Sequence, residues 1–63
     1  MKDECELCGR KTEGTCYDVK TIFGSWAYIC QKCFPTKAMY KTLGTGKGQK
    51  YEKDGESWKK VAG

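Results

Sequence analysis

Two short stretches decide the fold of this chain, Cys5-Glu6-Leu7-Cys8 and Cys30-Gln31-Lys32-Cys33, and 21 residues separate them. Two residues between paired cysteines allow a tight turn to present both thiolates to one ion. Two such doublets at this separation are typical of a tetrahedral zinc site with four cysteine ligands. The sequence therefore predicts one structural Zn²⁺, held by Cys5, Cys8, Cys30 and Cys33.

Other uses of the five cysteines fit the sequence less well. Disulfide pairing would leave one cysteine over, and the stretch Met1–Cys5 lacks the apolar segment of a secretion signal, which favours a reducing, cytoplasmic location. An iron site of the rubredoxin kind would favour glycine after both doublets, whereas Phe34 follows the second. Cys16 lies outside the doublets, and we interpret it as a small, partly buried strand residue; a reactive thiol or an additional ligand are the alternatives.

The small size of the chain predicts that folding needs an additional stabilising element. The 63 residues have a mean hydropathy of −0.76, and only 38% of them are hydrophobic. A chain this short and polar rarely builds a sufficient core without a metal, disulfides or a partner. The same size argues against an enzyme or a small-molecule site, and the sequence has no histidine. No apolar run is long enough to predict a membrane span.

A β-hairpin is predicted between the doublets. Residues 15–23 and 26–30 are rich in β-branched and aromatic types, and Gly24-Ser25 between them is a signal for a two-residue type II′ turn. That turn would pair Phe23 with Trp26 and Val19 with Cys30. One face of the hairpin would then be strongly aromatic, with Tyr17, Val19, Phe23, Trp26 and Tyr28.

The second doublet is predicted to open a short helix over residues 35–43. Pro35 suits the first helical position, and Gly44 is a good terminator. Between them, apolar side chains and a threonine recur at helical spacing: Thr36, Met39, Tyr40 and Leu43.

The remaining residues predict a connector and a second hairpin. Residues 44–48 read Gly-Thr-Gly-Lys-Gly, which is a flexible connector without the spacing of a nucleotide-binding loop. Within residues 49–63, Asp54-Gly55 predicts a hairpin that pairs Lys53 with Glu56 and Tyr51 with Trp58. We expect this C-terminal hairpin to pack on residues 1–43, so that the chain is a single domain.

The order of knuckle, β-hairpin and second knuckle at a helix start resembles the treble-clef arrangement over residues 5–43. Within it, Cys5-Glu-Leu-Cys-Gly-Arg10 and Tyr28-Ile-Cys-Gln-Lys-Cys33 look like the N-terminal zinc-binding domain of the ClpX unfoldase. That family dimerises and binds adaptors and substrates; the resemblance implies metal ligation at the four doublet cysteines and carries no catalytic residue. Residues 43–51 are similar to the tails of small phage-encoded Cys-x-x-Cys proteins, which would suggest a free-standing regulator. The fold class expected is a small α+β zinc-stapled domain, treble-clef-like, with a C-terminal β-hairpin.

Positive charge is concentrated in the middle of the chain. Residues 19–50 hold six lysines and no acid, and the formal net charge of the whole chain is +4. Four thiolates and one Zn²⁺ would lower that net charge by two. A block of lysines attracts anionic partners, but Arg10 is the only arginine, so any binding to nucleic acid would have weak sequence specificity.

The excess of aromatic residues predicts that the chain works by binding another macromolecule. Aromatic anchors beside flexible lysines are typical of protein interfaces with a polar rim. We therefore expect a non-catalytic adaptor or regulator that binds a protein, and a homodimer is one way to cover the same surface. The alternative is a nucleic-acid-binding zinc module. The candidate partner-binding residues are Trp26, Tyr40, Tyr51, Trp58, Lys37, Lys41, Lys47 and Lys50.

Overall fold

The computed structural model describes residues 2–63, which form four β-strands and one turn of helix. Strands β1 (Thr15–Lys20) and β2 (Trp26–Ile29) precede helix α1 (Phe34–Lys37), and strands β3 (Gly48–Asp54) and β4 (Ser57–Ala62) follow it. The protein is a small α+β domain with one antiparallel sheet, a short helix and a cysteine cluster, in agreement with the coarse prediction from the sequence.

Strand β1 lies inside the sheet, whose strand order is β2-β1-β3-β4 with antiparallel neighbours throughout. Its sequence, Thr-Cys-Tyr-Asp-Val-Lys, is rich in residue types that favour strands. Cys16 and Tyr17 are adjacent and point to opposite faces, yet both are buried. Both faces of β1 are therefore covered by other parts of the chain.

The first hairpin forms, but the predicted register is wrong. Val19 pairs with Ala27 and Lys20 with Trp26, whereas the two-residue turn required Val19 opposite Cys30. The observed partner of Val19 is an odd number of residues from the predicted one, so side chains of β2 change faces relative to β1. Trp26 and Tyr28 therefore lie on the face opposite Tyr17. The expected aromatic face is therefore divided between the two sides of the sheet.

Thr21 is the physical reason for this longer turn. Its side chain is fully buried; its hydroxyl donates to the Ser25 carbonyl at 2.9 Å and accepts from the Phe23 N–H at 3.3 Å. The Thr21 N–H also donates to the Ser25 carbonyl, at 2.8 Å. A threonine that bonds the backbone within its own turn replaces the two-residue turn with a closed loop over residues 21–25.

The predicted helix over residues 35–43 is also wrong in length, because α1 ends at Lys37. The next residue, Ala38, is extended, with φ −73° and ψ 136°, and its side chain is buried. The Lys37 carbonyl accepts from the Ile22 N–H, and the Met39 N–H donates to the Lys20 carbonyl, each at 2.8 Å. Pairing with the first hairpin therefore replaces the hydrogen bonds of a longer helix. No helix within residues 2–63 has the length and apolar character needed to cross a membrane.

The C-terminal hairpin has its turn one residue later than predicted. Lys53 pairs with Trp58, not with Glu56, so the turn residues are Gly55 and Glu56. Gly55 has φ +66°, which suits the first central position of a type II′ turn. Tyr51 and Trp58 stay on one face as diagonal neighbours, since Tyr51 itself pairs with Lys60. The hairpin continues the sheet, because β3 pairs with β1 along its length.

The core is small and includes two of the doublet cysteines. Its largest stacking contact joins Tyr17 of β1 to Phe34 of α1, with ring centroids 4.2 Å apart. Six buried residues make up the core, namely Cys5, Tyr17, Val19, Ile29, Cys30 and Ala38, with Leu7, Ala27, Cys33, Phe34 and Leu43 packed against them. The packing of this core therefore depends on the chemistry of the cysteines.

We expect Gly48→Ala to be strongly destabilising. Gly48 has φ +142°, and an added Cβ would lie 2.4 Å from Cγ1 of the buried Val19. Overpacking of this kind costs about 1–3 kcal/mol. The matched control is Gly46→Ala, which also has positive φ but meets no atom within 4 Å. Urea unfolding at a fixed excess of zinc measures both free energies; equal losses for the two variants would contradict the contact with Val19.

Candidate metal centre

The first knuckle is a tight turn that directs backbone N–H groups inward. The Cys5 N–H donates to the Arg10 carbonyl at 2.8 Å, and the Gly9 N–H donates to the Cys5 carbonyl at 2.9 Å. The Cys8 N–H points to the Cys5 sulfur at 3.4 Å. The turn therefore places the sulfurs of Cys5 and Cys8 on one side and stabilises negative charge on the first of them.

Glu6 attaches this knuckle to the sheet. Its N–H donates to the Tyr28 carbonyl at 2.9 Å, and its carboxylate accepts from the Tyr28 N–H at 2.7 Å. The side chain thus completes a pairing that a neighbouring strand would otherwise make along the outer edge of β2. Because Tyr28 is two residues before Cys30, this contact sets the first doublet beside the second.

The second knuckle leads directly into α1. The Cys33 N–H and the Phe34 N–H donate to the Cys30 carbonyl at 3.1 and 3.2 Å. Cys33 is the N-cap residue of α1, and its carbonyl accepts from the Lys37 N–H at 2.7 Å. Pro35 lies in the first turn, where its missing N–H breaks no helical hydrogen bond.

The four sulfurs form one compact group, with every pair within 4.8 Å. Cys5 and Cys33 have their sulfurs 3.6 Å apart, and Cys8 and Cys30 have theirs 3.7 Å apart. Four sulfurs at 2.3 Å from one zinc ion would be separated by about 3.8 Å. These separations far exceed the length of a disulfide bond, about 2.05 Å. The donor set and its dimensions fit one tetrahedral zinc ion.

The ionisation of the cluster also favours a cation. Burial opposes ionisation of Cys5, but the N–H groups of Cys8, Cys30 and Leu7 outweigh it and lower the pKa of Cys5 to about 6. Burial and the neighbouring sulfurs raise the pKa of Cys33 to about 12. Four thiolates this close repel one another, so a divalent cation has to balance them. Zinc held by these four cysteines would supply that charge and fix the two knuckles together.

Cys16 is not a member of the sulfur group that residues 2–63 form. It lies in β1 opposite Tyr51 and is fully buried. Burial raises the pKa of the Cys16 thiol to about 11, against a weaker lowering by Lys2. The thiol therefore stays protonated at neutral pH, which suits a packing role and not that of a nucleophile or ligand.

The four aromatic residues singled out in the sequence do not come together. Trp26 and Tyr40 are exposed near the loop of residues 21–25. Trp58 lies on the outer strand at the other side of the sheet, with Lys53 Nζ 5.7 Å from its ring. Tyr51 is half-buried beneath Lys2, whose Nζ is 5.0 Å from the ring centroid.

The four lysines singled out in the sequence have different surroundings. The Lys50 ammonium group already has partners within the chain: it contacts the Tyr17 ring and forms an ion pair with Glu52 at 3.9 Å. Lys47 is exposed in the connector. Lys37 and Lys41 lie beside Ala38: the Lys37 Nζ is 5.9 Å from the Phe23 ring, and the Lys41 Nζ donates to the Ala38 carbonyl at 3.3 Å.

Four further residues matter and were missed in the sequence. Ile22, Phe23 and Met39 are exposed large hydrophobic residues, and Glu6 ties the knuckle to β2. The sequence predicted a strand at Ile22 and Phe23 and a helix at Met39, and neither prediction indicated that these side chains would be exposed. The sequence shows only that Glu6 lies between the predicted ligands Cys5 and Cys8, and this position does not by itself indicate a contact with β2.

Comparison with protein-family models, curated proteins and solved structures finds no match for this chain. What the protein does has therefore to be inferred from the chemistry of the cysteine cluster and from the residues left exposed around it.

Removal of zinc is expected to unfold the protein. Structural zinc contributes about 10–16 kcal/mol in zinc-finger peptides, which matches or exceeds the stability of a typical domain. Elemental analysis should give one zinc per chain, and circular dichroism under reducing conditions should lose the native spectrum when a strong chelator is added. Cys30→Ser should abolish metal binding, whereas Cys16→Ser and Cys16→Ala should retain it. A folded, metal-free chain would contradict this role of the cluster.

Glu6→Ala is expected to weaken zinc binding without changing the ligands. It removes the carboxylate that accepts from the Tyr28 N–H, which costs about 1 kcal/mol, equivalent to about fivefold in apparent zinc affinity. Competition with a zinc-binding dye measures the loss. Glu6→Gln keeps an acceptor oxygen and should recover most of the affinity, and Glu56→Ala in the exposed turn should have none of this effect. Equal affinities for all three variants would rule out the anchoring role of Glu6.

Proposed function

We propose that this protein is a non-catalytic, zinc-stapled module that acts as a protein-binding adaptor or regulator. The observation that carries the proposal is the gathering of exposed large hydrophobic side chains at one end of the sheet. Soluble monomers seldom expose large contiguous apolar patches, and such patches mark interaction sites. We call this set the apolar tip: Ile22, Phe23, Trp26, Met39 and Tyr40, whose exposed fractions run from 39% to 66%.

Two segments form the apolar tip, and backbone hydrogen bonds hold them together. Ile22, Phe23 and Trp26 belong to the loop after β1 and to the start of β2, whereas Met39 and Tyr40 follow α1. The segments meet where the Ile22 N–H donates to the Lys37 carbonyl and the Met39 N–H donates to the Lys20 carbonyl. An isolated bridge between Thr21 and Ala38 lies between these two bonds. The backbone segments that carry the five side chains are thus hydrogen-bonded to each other.

The apolar tip is organised before any partner arrives. The buried Thr21 holds its loop through bonds to Ser25 and Phe23, and the Gly24 N–H donates to the Thr21 carbonyl at 3.0 Å. A surface that is already ordered loses less conformational entropy on binding. Aromatic and methionine side chains are also the types enriched at interface centres. Both properties support protein recognition by this end of the molecule.

The metal has a structural role in this proposal. Four thiolates complete the tetrahedral shell of zinc and leave no position for a substrate. The second doublet opens α1, which supports the treble-clef arrangement expected from the sequence. The likeness to the ClpX zinc-binding domain, whose family binds adaptors and substrates, agrees with a binding module, and the phage-like tail agrees with a free-standing regulator.

A nucleic-acid-binding module is the second candidate, and one observation favours it. An open groove of about 660 Å³ lies beside the second knuckle, and its lining includes Arg10, Lys11 and Lys32. Basic side chains along a groove attract phosphates without reading sequence. Glu13 also lines this groove and reduces its positive charge. The groove contains none of the apolar tip, so variants can separate the two candidates.

A capture experiment tests the proposal. The zinc-loaded chain is used to capture binding proteins from a nuclease-treated cell lysate, and the proteins are identified by mass spectrometry. Phe23→Ser/Trp26→Ser should weaken capture by about thirtyfold or more, the size of a hot-spot loss. Trp58→Ser is the matched control, because Trp58 lies away from the apolar tip, and should leave capture unchanged.

The opposite pattern would favour nucleic acid. Capture that survives Phe23→Ser/Trp26→Ser would remove the basis for protein binding at the tip. If, in addition, Lys11→Glu/Lys32→Glu in the groove abolished binding to a fluorescent oligonucleotide and that binding fell steeply with salt, the second candidate would replace the first.

A further inference from the structure

Three lysines border the apolar tip. Lys20 pairs with Trp26 across the first hairpin and is half-buried on the same face. The Lys37 Nζ lies 5.9 Å from the Phe23 ring, and the Lys41 Nζ donates to the carbonyl of Ala38, the residue before Met39. Lysine side chains therefore lie next to residues of the apolar tip in both of its segments.

Acidic residues are concentrated at the other end of the sheet. Residues 19–51 contain no aspartate or glutamate. Glu52 pairs with Thr15 at the far end of β1, and Asp54 and Glu56 lie further out, next to the second turn. Asp3 lies there too, since its carboxylate contacts the Lys53 Nζ at 3.1 Å. That end mixes acids with Lys53, Lys59 and Lys60, whereas the apolar tip has three lysines around it and, in β1, only Asp18 on the same face as Lys20.

We propose that the apolar tip binds an acidic, amphipathic segment of a partner protein, with apolar side chains of the segment on Phe23 and Trp26 and its carboxylates against Lys20, Lys37 and Lys41. This inference rests on the proposed function and names the chemistry of the partner. Charge complementarity around an apolar centre gives such an interface its specificity and its speed of association. The flexible lysine stems can follow carboxylates over several positions of the segment.

A second copy of this chain fits the apolar tip less well. A twofold interface joins the same surface patch of both copies, so it would bring the Lys20, Lys37 and Lys41 side chains of both copies into one contact region. A standard interface also takes about 800 Å² from each partner. The whole protein exposes 4145 Å², so five side chains at one end match a short segment better than a dimer interface.

Nucleic acid also fits this surface less well than an acidic segment. Phe23, Trp26 and Tyr40 offer rings on which bases could stack, but Ile22 and Met39 do not, and their exposed aliphatic surface favours apolar side chains of a protein. The Lys50 side chain is turned to Tyr17 and Glu52 and does not extend the basic border. The single arginine, Arg10, lines the groove beside the second knuckle instead.

A displayed library of random peptides provides the test. The full, zinc-loaded chain is immobilised and used to select peptides, which are sequenced and then synthesised. We expect the selected peptides to combine aspartate or glutamate with aromatic or aliphatic residues. Phe23→Ser/Trp26→Ser should weaken their binding by about tenfold or more. Replacing the acids of a selected peptide by asparagine and glutamine should also weaken binding, by about tenfold.

Matched variants test the lysine border. Lys20→Gln/Lys37→Gln/Lys41→Gln should weaken binding of the selected peptides by about tenfold and flatten its dependence on salt. The control triple, Lys11→Gln/Lys59→Gln/Lys60→Gln, changes the net charge equally at exposed positions outside the tip and should bind as the unchanged chain does. Zinc content and circular dichroism verify that each variant is folded.

The outcomes separate this inference from the function on which it rests. Selected peptides that need Phe23 and Trp26 but carry no acids would overturn the acidic partner and leave protein binding in place. Failure to select any peptide at the tip, together with salt-sensitive binding of oligothymidylate there, would overturn both. A dimer seen by sedimentation that Phe23→Ser/Trp26→Ser converts to monomer would assign the tip to a second copy and also overturn the inference.

Discussion

The rest of this structure depends on bringing four cysteine sulfurs within 4.8 Å of one another. Cys5 and Cys30 are at once members of that group and members of the buried core, so the metal site and the core cannot be separated. Thiolates at such distances repel strongly, and a divalent cation bound among them would turn that repulsion into the main cohesive interaction of the chain. A domain with so few buried apolar side chains has no comparable alternative.

The cluster also determines where the surface features lie. The second knuckle starts α1 at a fixed point, and the end of α1 then meets the first hairpin through the Lys37 carbonyl and the Ile22 N–H. From there Ala38 is buried against the sheet, which leaves Met39 and Tyr40 outside. Metal binding and the shape of the apolar tip are thus linked through a single turn of helix. We therefore expect that removing a metal ion from the cluster would also disorganise the tip.

Charge and apolar surface are arranged along the same axis of the sheet. The formal net charge of +4 falls by two when four thiolates bind one zinc, so the overall charge is modest. Its distribution matters more, because Lys20, Lys37 and Lys41 around the apolar tip lie in a stretch without acids, residues 19–51, whereas all eight acids lie outside that stretch. This arrangement would direct the anionic partner proposed above to one end of the sheet, and it would oppose the meeting of two identical copies there.

The sequence by itself determined the cysteine cluster, the two hairpins and the α+β class, because doublet spacing and glycine turns act over a few residues. The tertiary structure decided the first register, through the buried hydroxyl of Thr21, and the end of the helix, through the pairing of Ala38 with the hairpin. It also decided the role of Glu6, whose carboxylate completes the edge of β2. Helical spacing and turn signals describe local preferences. Here the burial of Thr21, with the hydrogen bonds inside its own turn, outweighed the two-residue turn signal, and hydrogen bonds between distant segments outweighed the helix signal. The exposure of Phe23 follows from those bonds alone, which is why no pattern in the sequence could indicate it.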